Sequence, residues 1–261
     1  MNLKNKNIII TGAGEGIGKE LALKLSLHNN IILIGRNIKK IEDLKNKLNL
    51  NNHLTVQCDI AVKENLEKAY NEIVNKYKSI DILINNAGMS SAKKFNEYTD
   101  EEIEKVLDIN IKGTILFTKK FIEDLKKSKG AIVNIGSMFG EIAHPCYTIY
   151  SSSKFAIKGF SDALRRELNH FKVKVFYVSP RATKTQSLQQ TDDIGKFFKM
   201  NVDEPEKVAK YIIKGINNNQ FTIYPKSIER FFLFIQKFFT KLIDNNLSAI
   251  SKKIYLKYSN F

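Results

Sequence analysis

Short runs of β-branched residues alternate along this chain with longer amphipathic stretches, and this alternation restricts the fold more than any other feature. Most runs contain several consecutive apolar residues, as expected for parallel strands buried on both faces. The runs are Asn7–Thr11, Ile31–Ile34, Leu54–Gln57, Ile80–Ile84, Ala131–Ile135, Val173–Val178 and Phe221–Tyr224. Helical patterns lie between them, among others over Ile17–Leu27, Asn65–Tyr77, Glu101–Lys127 and Phe155–Phe171.

Strand–helix alternation predicts an α/β fold with a single doubly wound, Rossmann-type parallel sheet. We expect about seven strands, right-handed crossovers and helices on both faces. No linker rich in Pro, Gly or Ser divides the chain. The sequence therefore predicts one domain over residues 1–225, followed by an amphipathic helical tail over residues 226–261.

The composition is that of an ordinary globular protein, with 43% hydrophobic and 26% charged residues in a chain of 261. No apolar run approaches the ~20 residues that a membrane-spanning helix needs. The apolar run near the N-terminus is too short for the core of a signal peptide. We therefore expect a cytoplasmic protein.

The net charge of +15 does not by itself indicate nucleic-acid binding. Lys and Arg total 42 against 27 Asp and Glu, but only five of the 42 are Arg, the residue favoured for bidentate contacts to bases and phosphates. We expect no nucleic-acid partner. Cys58 and Cys146 lie far apart, and the four histidines show no ligand spacing, so neither a disulfide framework nor a metal site is expected.

A glycine-rich run follows the first predicted strand directly, and a helix begins within it. The run reads Thr11-Gly12-Ala13-Gly14-Glu15-Gly16-Ile17-Gly18. Glycines let the backbone turn sharply and let a phosphate approach closely, and the N–H groups of a helix N-terminus bind that phosphate. We predict a dinucleotide site here. The alternative is a turn whose glycines serve only the close packing of helix on strand.

The end of the second predicted strand bears on the choice of nucleotide. NAD-specific sites usually place Asp or Glu about 20 residues beyond the glycines, where it binds the ribose 2′-hydroxyl. This chain has Gly35 followed by Arg36, whose guanidinium suits the 2′-phosphate of NADP. Glu15 would lie near the same phosphate and opposes this interpretation. The sequence favours NADP(H) over NAD(H).

A tyrosine and a lysine four residues apart, Tyr150 and Lys154, begin a helical pattern and share one helix face. An ammonium one turn away should lower the pKa of the phenol and make it a usable general acid or base. Ser137 follows the fifth predicted strand, at the sheet edge where open α/β folds bind ligands. Taken alone, a Tyr and a Lys at this spacing are usually surface residues.

Together these motifs resemble the short-chain dehydrogenase/reductase family, over residues 5–225. The glycine run is similar to the family's Thr-Gly-x-x-x-Gly-x-Gly, and Asn85-Asn86-Ala87-Gly88 is similar to its Asn-Asn-Ala-Gly. Asp59 and Ile60 follow the third strand, where the family holds the adenine ring. The residues that match the family's catalytic tetrad are Asn110, Ser137, Tyr150 and Lys154.

The resemblance implies hydride transfer between a nicotinamide and the carbonyl or alcohol carbon of a small molecule. Tyr150 would exchange a proton with the substrate oxygen, Ser137 would stabilise the charge on that oxygen, and Lys154 would bind the nicotinamide ribose. Asn110 would hold a water through which the proton is replaced. The resemblance also implies a homo-oligomer, either a dimer or a tetramer.

One segment deviates from the family pattern. Arg181 follows Pro180 where the family has Gly, so Thr183 or Thr185 would contact the nicotinamide amide. Because a residue other than Gly rarely adopts positive φ, the loop is expected to take a different path. Arg181 would bind either a cofactor phosphate or an acidic substrate, or would face solvent on a reshaped loop.

Three segments are expected to build the substrate pocket: Met89-Ser90, Met138–Cys146 and Gln186–Asn201. Among their apolar residues are Pro145, Phe197, Phe198 and Met200. The residues predicted to contact the substrate are Ser137, Met138, Cys146 and Tyr150. An apolar lining favours a lipophilic ketone or a 3-oxoacyl-type substrate, although loops packed on a core contain similar residues.

The tail combines aromatic residues with lysines. Seven of its residues follow helical spacing: Ile228, Phe231, Phe232, Ile235, Phe238, Phe239 and Leu242. Such a stripe either packs on its own domain or a partner subunit, or makes peripheral contact with the inner membrane surface. The packed helix is favoured. A non-enzymatic nucleotide sensor and a membrane-associated scaffold on the same fold are the alternatives to an enzyme.

Overall fold

Seven parallel strands form one sheet in the order β3-β2-β1-β4-β5-β6-β7. The computed structural model describes residues 1–48, 52–189, 191–225, 233 and 238–257. The strands are β1 Asn7–Thr11, β2 Asn30–Gly35, β3 Leu54–Gln57, β4 Ile82–Asn85, β5 Ala131–Ile135, β6 Lys174–Val178 and β7 Thr222–Ile223. The predicted doubly wound parallel sheet is confirmed.

Helices connect the strands and cover both faces of the sheet. The longer ones are α1 Gly16–Leu25, α2 Ile38–Lys45, α3 Lys63–Lys76, α4 Asp100–Leu107, α5 Thr114–Ser128 and α6 Thr148–Leu168. The short helices α7 Gln186–Gln189 and α8 Asp192–Gly195 precede α9 Pro205–Asn217, and α10 Thr240–Lys257 lies near the C-terminus.

Two hydrophobic cores form because successive strand residues point to opposite faces of the sheet. Ile8 and Ile10 belong to the core beneath α1, α2 and α9. Ile9, between them, belongs to the core beneath α3 and α5. All three isoleucines are fully buried, which explains why β1 is apolar throughout its centre.

The strand order reverses at β1, which pairs with β2 on one side and with β4 on the other. The loops that follow β1 and β4 therefore leave the sheet in opposite directions and open a crevice at its carboxyl edge. Thr11, the last residue of β1, joins the two loops: its Oγ1 accepts hydrogen bonds from the backbone N–H groups of Asn86 and Ala87, both at 3.0 Å.

The helix predicted over Glu101–Lys127 is divided in two. A π-helical turn over Asp108–Gly113 separates α4 from α5. Turns of this kind insert an extra residue into a helix and are frequent at functional sites. The turn contains Asn110.

Helix α6 begins seven residues before the predicted start at Phe155. The serines before Phe155 have low helix propensity, but their hydroxyls bond to the backbone of the preceding turn. Ser152 donates to the carbonyl of Thr148 at 2.8 Å, and Ser153 donates to that of Tyr150 at 2.7 Å. Tyr150 and Lys154 thus lie on successive turns of a regular helix.

The tail is described only in part. Ile228, Phe231, Phe232 and Ile235 lie outside the described residues, whereas Phe238, Phe239 and Leu242 are exposed. None of the helices within the described ranges combines the length and the hydropathy that crossing a bilayer requires.

Arg181 lines the cavity at the carboxyl edge of the sheet, and its guanidinium forms an ion pair with a residue of its own loop. Its Nε and Nη2 donate to the two carboxylate oxygens of Asp203 at 2.6 and 2.8 Å, and the Asp203 side chain is only 3% exposed. The backbone of Arg181 does not adopt positive φ. The bidentate ion pair fixes the loop between β6 and α9, and Thr183 forms a β-bridge with the same Asp203.

We predict that Arg181→Met lowers the free energy of unfolding by about 3 kcal/mol at neutral pH, because it removes the bidentate partner of a buried carboxylate. Asp203→Asn in the same chain should restore part of the loss. The hydrogen bonds from Arg181 lower the pKa of Asp203 below its ordinary value of 3.8. The loss should therefore be complete above that pH and shrink as the pH falls below it.

Urea denaturation monitored by circular dichroism measures these differences. Lys184→Met is the matched control, because Lys184 forms an exposed ion pair with Glu204 at 3.4 Å, and its loss should cost under about 0.5 kcal/mol. Equal losses in the two methionine variants would contradict the structural role of Arg181.

Candidate active site

A cavity of about 980 Å³ lies at the carboxyl edge of the sheet. At one end it is lined by the glycine loop, through Gly12, Gly14, Glu15, Gly16 and Ile17. Its lining continues through Asn86, Ala87, Gly88, Ser137, Tyr150, Lys154, Pro180, Thr183 and Thr185. The structure thus brings most of the predicted site residues to one cavity.

The glycine loop turns closely against its neighbours. Gly12 and Gly16 have φ of +63° and +55°, values that side-chain-bearing residues rarely adopt. A Cβ on Gly12 would lie 2.8 Å from the Cα of Ala87, and one on Gly16 would lie 2.8 Å from the Cγ2 of Thr185. Both glycines are therefore required by conformation and by space. The helix α1 begins at Gly16, so its first N–H groups face the cavity.

Two predicted cofactor residues support the loop without lining the cavity. Thr11 bonds to the turn after β4, as described above. A Cβ on Gly18 would collide with the backbone of Gly12, so Gly18 allows α1 to pack under the loop.

Four charged side chains surround the end of the cavity beyond β2 and β3. Arg36 is 64% exposed, and its Nη1 lies 4.0 Å from Oδ2 of Asp59. Lys40 donates to Oε2 of Glu15 at 2.7 Å and to Gln186 at 3.2 Å. Ile60 adds an apolar wall here. The sequence analysis did not identify Lys40 as a site residue. Its position in the first turn of the helix that follows β2 is the signal that could have indicated it.

Ser137 and Tyr150 both line the cavity, and the Ser137 hydroxyl lies close enough to the phenol to lower its pKa. Ser137 Oγ also accepts from the N–H of Phe139 at 3.1 Å, which fixes the serine rotamer. Lys154 Nζ donates to the carbonyl of Ile135, the last residue of β5, at 3.0 Å. It lies 5.7 Å from the centroid of the Tyr150 ring.

The prediction that the pKa of Tyr150 falls below its ordinary value is wrong, because the net shift is upward. Burial raises the pKa of the phenol above 10.0, and the hydrogen bond from Ser137 only partly offsets this effect. Burial also lowers the pKa of Lys154 from 10.5 to about 8. The lysine therefore loses its proton at a lower pH than the phenol does. At neutral pH the site holds a protonated phenol beside an ammonium.

Asn110 does not line the cavity but lies directly behind it. Its Oδ1 accepts from the N–H of Met89 at 2.8 Å, and its Nδ2 donates to the carbonyl of Met89 and to Ser153 Oγ, both at 2.9 Å. A Cβ on Gly88 would lie 3.2 Å from this Oδ1 and 3.5 Å from Lys154 Nζ. Asn110 thus joins the turn after β4 to α6, and its Oδ1 and the ammonium of Lys154 both lie close to Gly88.

The other end of the cavity is mainly apolar and aromatic. Met138, Ile142, Phe198 and Met200 line it, as predicted. Three further lining residues of this end, which the prediction did not single out, are His144, Tyr147 and Leu188. The sequence offers no specific signal for them beyond their place in the two loops.

The prediction that Cys146 contacts the substrate is wrong. Cys146 is buried and absent from the described lining of the cavity. Its φ of +65° reverses the chain at this point, and its carbonyl accepts from the N–H of Lys93 at 2.8 Å. The side chain of the next residue, Tyr147, lines the cavity instead. Pro145 and Phe197 are likewise absent from the lining.

Helix α10 contributes the part of the cavity that sequence reasoning did not anticipate. Five of its residues line the apolar end: Leu242, Ile243, Asn246, Leu247 and Ile250. The tail was predicted as a packed or membrane-bound helix, and nothing in its pattern connects it to the site. The described part of the tail lies on this chain's own domain.

Comparison with known proteins agrees with this arrangement. A family model for the short chain dehydrogenases matches residues 6–194. An uncharacterised oxidoreductase of Staphylococcus epidermidis is 31% identical over 228 residues, which cover 85% of this chain and 98% of the relative. Helix α10 lies beyond the segment that the family model matches.

Solved structures share the fold. A short chain dehydrogenase/reductase from Burkholderia phymatum in complex with NAD has a TM-score of 0.84 at 18% identity. The matched region covers 93% of this chain and 96% of the Burkholderia chain. A short-chain dehydrogenase from Sphingobium yanoikuyae in complex with NADPH has a TM-score of 0.79 at 25% identity. The matched region covers 92% of this chain and 95% of the Sphingobium chain.

We predict that Lys154→Met raises the free energy of unfolding at pH 7 by about 2 kcal/mol, because it removes the cost of a buried ammonium and loses one hydrogen bond to Ile135. The gain should shrink as the pH rises from about 8 to 10.5. In that interval the unfolded wild-type chain binds more protons than the folded chain, so the wild type becomes more stable with rising pH.

Urea titrations of both proteins across this pH range measure the difference. Arg166→Met on the same helix is the control, because Arg166 is exposed. A constant difference between wild type and Lys154→Met across the range would contradict the lowered pKa of Lys154.

Proposed function

The chain belongs to the short-chain dehydrogenase/reductase family of oxidoreductases, and on this basis we propose that it reduces the carbonyl group of a lipophilic substrate with NADPH. The observation that carries the proposal is the convergence of Ser137, Tyr150 and Lys154 on one cavity that is also lined by the glycine loop. The roles of these residues are part of the proposal.

The cavity fits a nicotinamide dinucleotide. The close approach of Gly12 and Gly16 to neighbouring loops leaves the N-terminal N–H groups of α1 accessible to a pyrophosphate. Thr183 and Thr185 line the cavity, and one of them would bind the nicotinamide amide. When bound, the cofactor supplies the hydride, and the protein supplies position and electrostatics.

The charges beyond β2 support NADPH over NADH. Arg36 and Lys40 both line this end of the cavity, and no carboxylate occupies the end of β2, where an NAD-specific site would have one. Each cation faces a carboxylate, Asp59 for Arg36 and Glu15 for Lys40. A 2′-phosphate would compete with these carboxylates, and the exposed Arg36 is free to turn toward it. The solved neighbours hold NAD in one case and NADPH in another, so the choice rests on the charges of this chain.

The protonation state of the site supports reduction of a carbonyl group. Because burial raises the pKa of Tyr150, the phenol is protonated at neutral pH and ready to donate to a carbonyl oxygen. Ser137 would hydrogen-bond the same oxygen and stabilise its developing charge. The ammonium of Lys154 would stabilise the phenolate that remains. We propose that Asn110, by fixing Met89 and Ser153, holds the path through which water returns the proton.

The apolar end of the cavity supports a lipophilic ketone or a 3-oxoacyl-type compound as the substrate. Met138 and Ile142, which follow Ser137 in the sequence, are among the apolar residues that line this end. A homo-oligomer and a contact of the tail with a membrane stay predictions from the sequence.

We predict that Tyr150→Phe lowers kcat for ketone reduction at least ~100-fold, because it removes the proton donor. The Kd for NADPH should stay within about twofold, since the phenyl ring keeps its packing. Loss of NADPH absorbance measures turnover, and quenching or transfer of NADPH fluorescence measures binding. Tyr147→Phe is the matched control, because the Tyr147 hydroxyl donates to the carbonyl of Thr191 at 3.3 Å, away from Ser137. Wild-type turnover by Tyr150→Phe would remove Tyr150 from this role.

We predict that Arg36→Asp shifts the ratio of kcat/KM for NADPH and NADH at least ~100-fold toward NADH, because a carboxylate repels a 2′-phosphate and accepts from a 2′-hydroxyl. Lys39→Asp is the control, since Lys39 is exposed, next to Lys40, and absent from the described lining of the cavity. An unchanged ratio in Arg36→Asp would show that Arg36 does not recognise the phosphate.

A further inference from the structure

We propose that α10 closes the distal end of the substrate pocket and selects carbonyl compounds with a long aliphatic chain. The inference rests on the proposed function, which it extends from a reaction to a class of substrate. It concerns a part of the chain that lies beyond the matched family segment.

One face of α10 is directed at the domain. Ile243, Leu247 and Ile250 follow the spacing of a single helix face, and all three line the cavity that contains Tyr150. Ile254, one turn further, is 1% exposed. The first three residues are only partly buried, so their apolar surfaces remain available to a ligand, while Ile254 fixes the helix on the domain.

The C-terminal half of α10 is held on two sides. The ammonium of Lys257 lies 5.2 Å from the ring centroid of Phe197, and that of Lys94 lies 5.3 Å from the ring centroid of Tyr255. Cation–π contacts of this kind are attractive over such distances. They join α10 to the loop between β6 and α9 and to the segment after β4, which are the two segments that form the sides of the pocket.

The surfaces opposite α10 are largely apolar, with Lys199 and Asn201 as polar members of the lining. Leu188, Phe198 and Met200 line the cavity from the loop between β6 and α9, and Ile142 lines it from the segment before α6. Among the lining residues within the described ranges, the carboxylates are Glu15 and Asp59, and both lie at the glycine-loop end. The region between Tyr150 and α10 therefore suits a hydrocarbon chain whose carbonyl group is bound at Ser137 and Tyr150.

The proposal predicts a dependence on chain length. Each methylene that reaches the apolar lining should raise kcat/KM about three- to fourfold, until the chain meets α10. Straight-chain methyl ketones from butanone to dodecanone are the probes, with loss of NADPH absorbance as the readout. Butanone is too short to reach α10 and reports the basal reaction.

Leu247→Trp fills the distal end and should lower kcat/KM for dodecanone at least ~10-fold, with butanone unchanged within about twofold. Leu247→Ala leaves a gap and should lower kcat/KM for dodecanone about fivefold, again sparing butanone. Leu256→Ala is the matched control, because Leu256 is 61% exposed on the same helix and absent from the described lining. It should match the wild type with every ketone.

A second readout does not depend on turnover. The fluorescence of N-phenylnaphthylamine, a neutral lipophilic probe, should show binding to wild type and Leu256→Ala that dodecanone displaces, and binding to Leu247→Trp should be at least ~10-fold weaker. If the wild type reduces butanone but neither Leu247 variant changes the chain-length profile, α10 does not select the substrate. If no ketone is reduced but the probe binds as described, the proposed reaction fails while the binding site at α10 stands. If the wild type and Leu247→Trp bind N-phenylnaphthylamine with equal affinity, α10 does not form the distal end of the pocket.

Discussion

The buried ammonium of Lys154 is the constraint on which the rest of the site depends. Burying a cation away from water is unfavourable, and this is why the pKa of Lys154 falls to about 8. The position of Lys154 is set by the hydrogen bond to the carbonyl at the end of β5 and by the regular helix that begins at Thr148. In the proposed reaction the same cation would stabilise the negative charge that forms on Tyr150, so a feature that costs stability would lie where proton transfer needs it.

Residues from distant parts of the sequence meet in this cavity because the carboxyl ends of parallel strands share one edge. The glycine loop follows β1 and packs on the turns after β4 and β6, through Ala87 and Thr185. The ion pair of Arg181 with Asp203 fixes the loop that carries Thr183. Helix α10, from the end of the chain, adds a wall at the apolar end. The glycine-loop end thus lies within the segment that the family model matches, and α10 lies beyond that segment.

Sequence reasoning was reliable where a local pattern determines the structure. Apolar runs predicted the strands, and β1, β3 and β5 have the bounds predicted for them. It failed where the outcome depends on packing between distant segments. The left-handed backbone at Cys146, the pairing of Arg181 with Asp203, and the contact of α10 with the cavity have no local signature. The raised pKa of Tyr150 was missed because spacing shows that a cation is near but not how deeply the phenol is buried.

The pH dependence of ketone reduction at saturating NADPH tests the central claim most directly, because the ammonium of Lys154 is claimed to stabilise the phenolate that forms at Tyr150. As the pH rises through about 8, Lys154 becomes neutral and kcat/KM for the ketone should fall. In Lys154→Arg the guanidinium stays charged, so the rate should be lower overall but level across the same interval. A wild-type profile that stays level through this pH, or the same fall in Lys154→Arg, would contradict the claim.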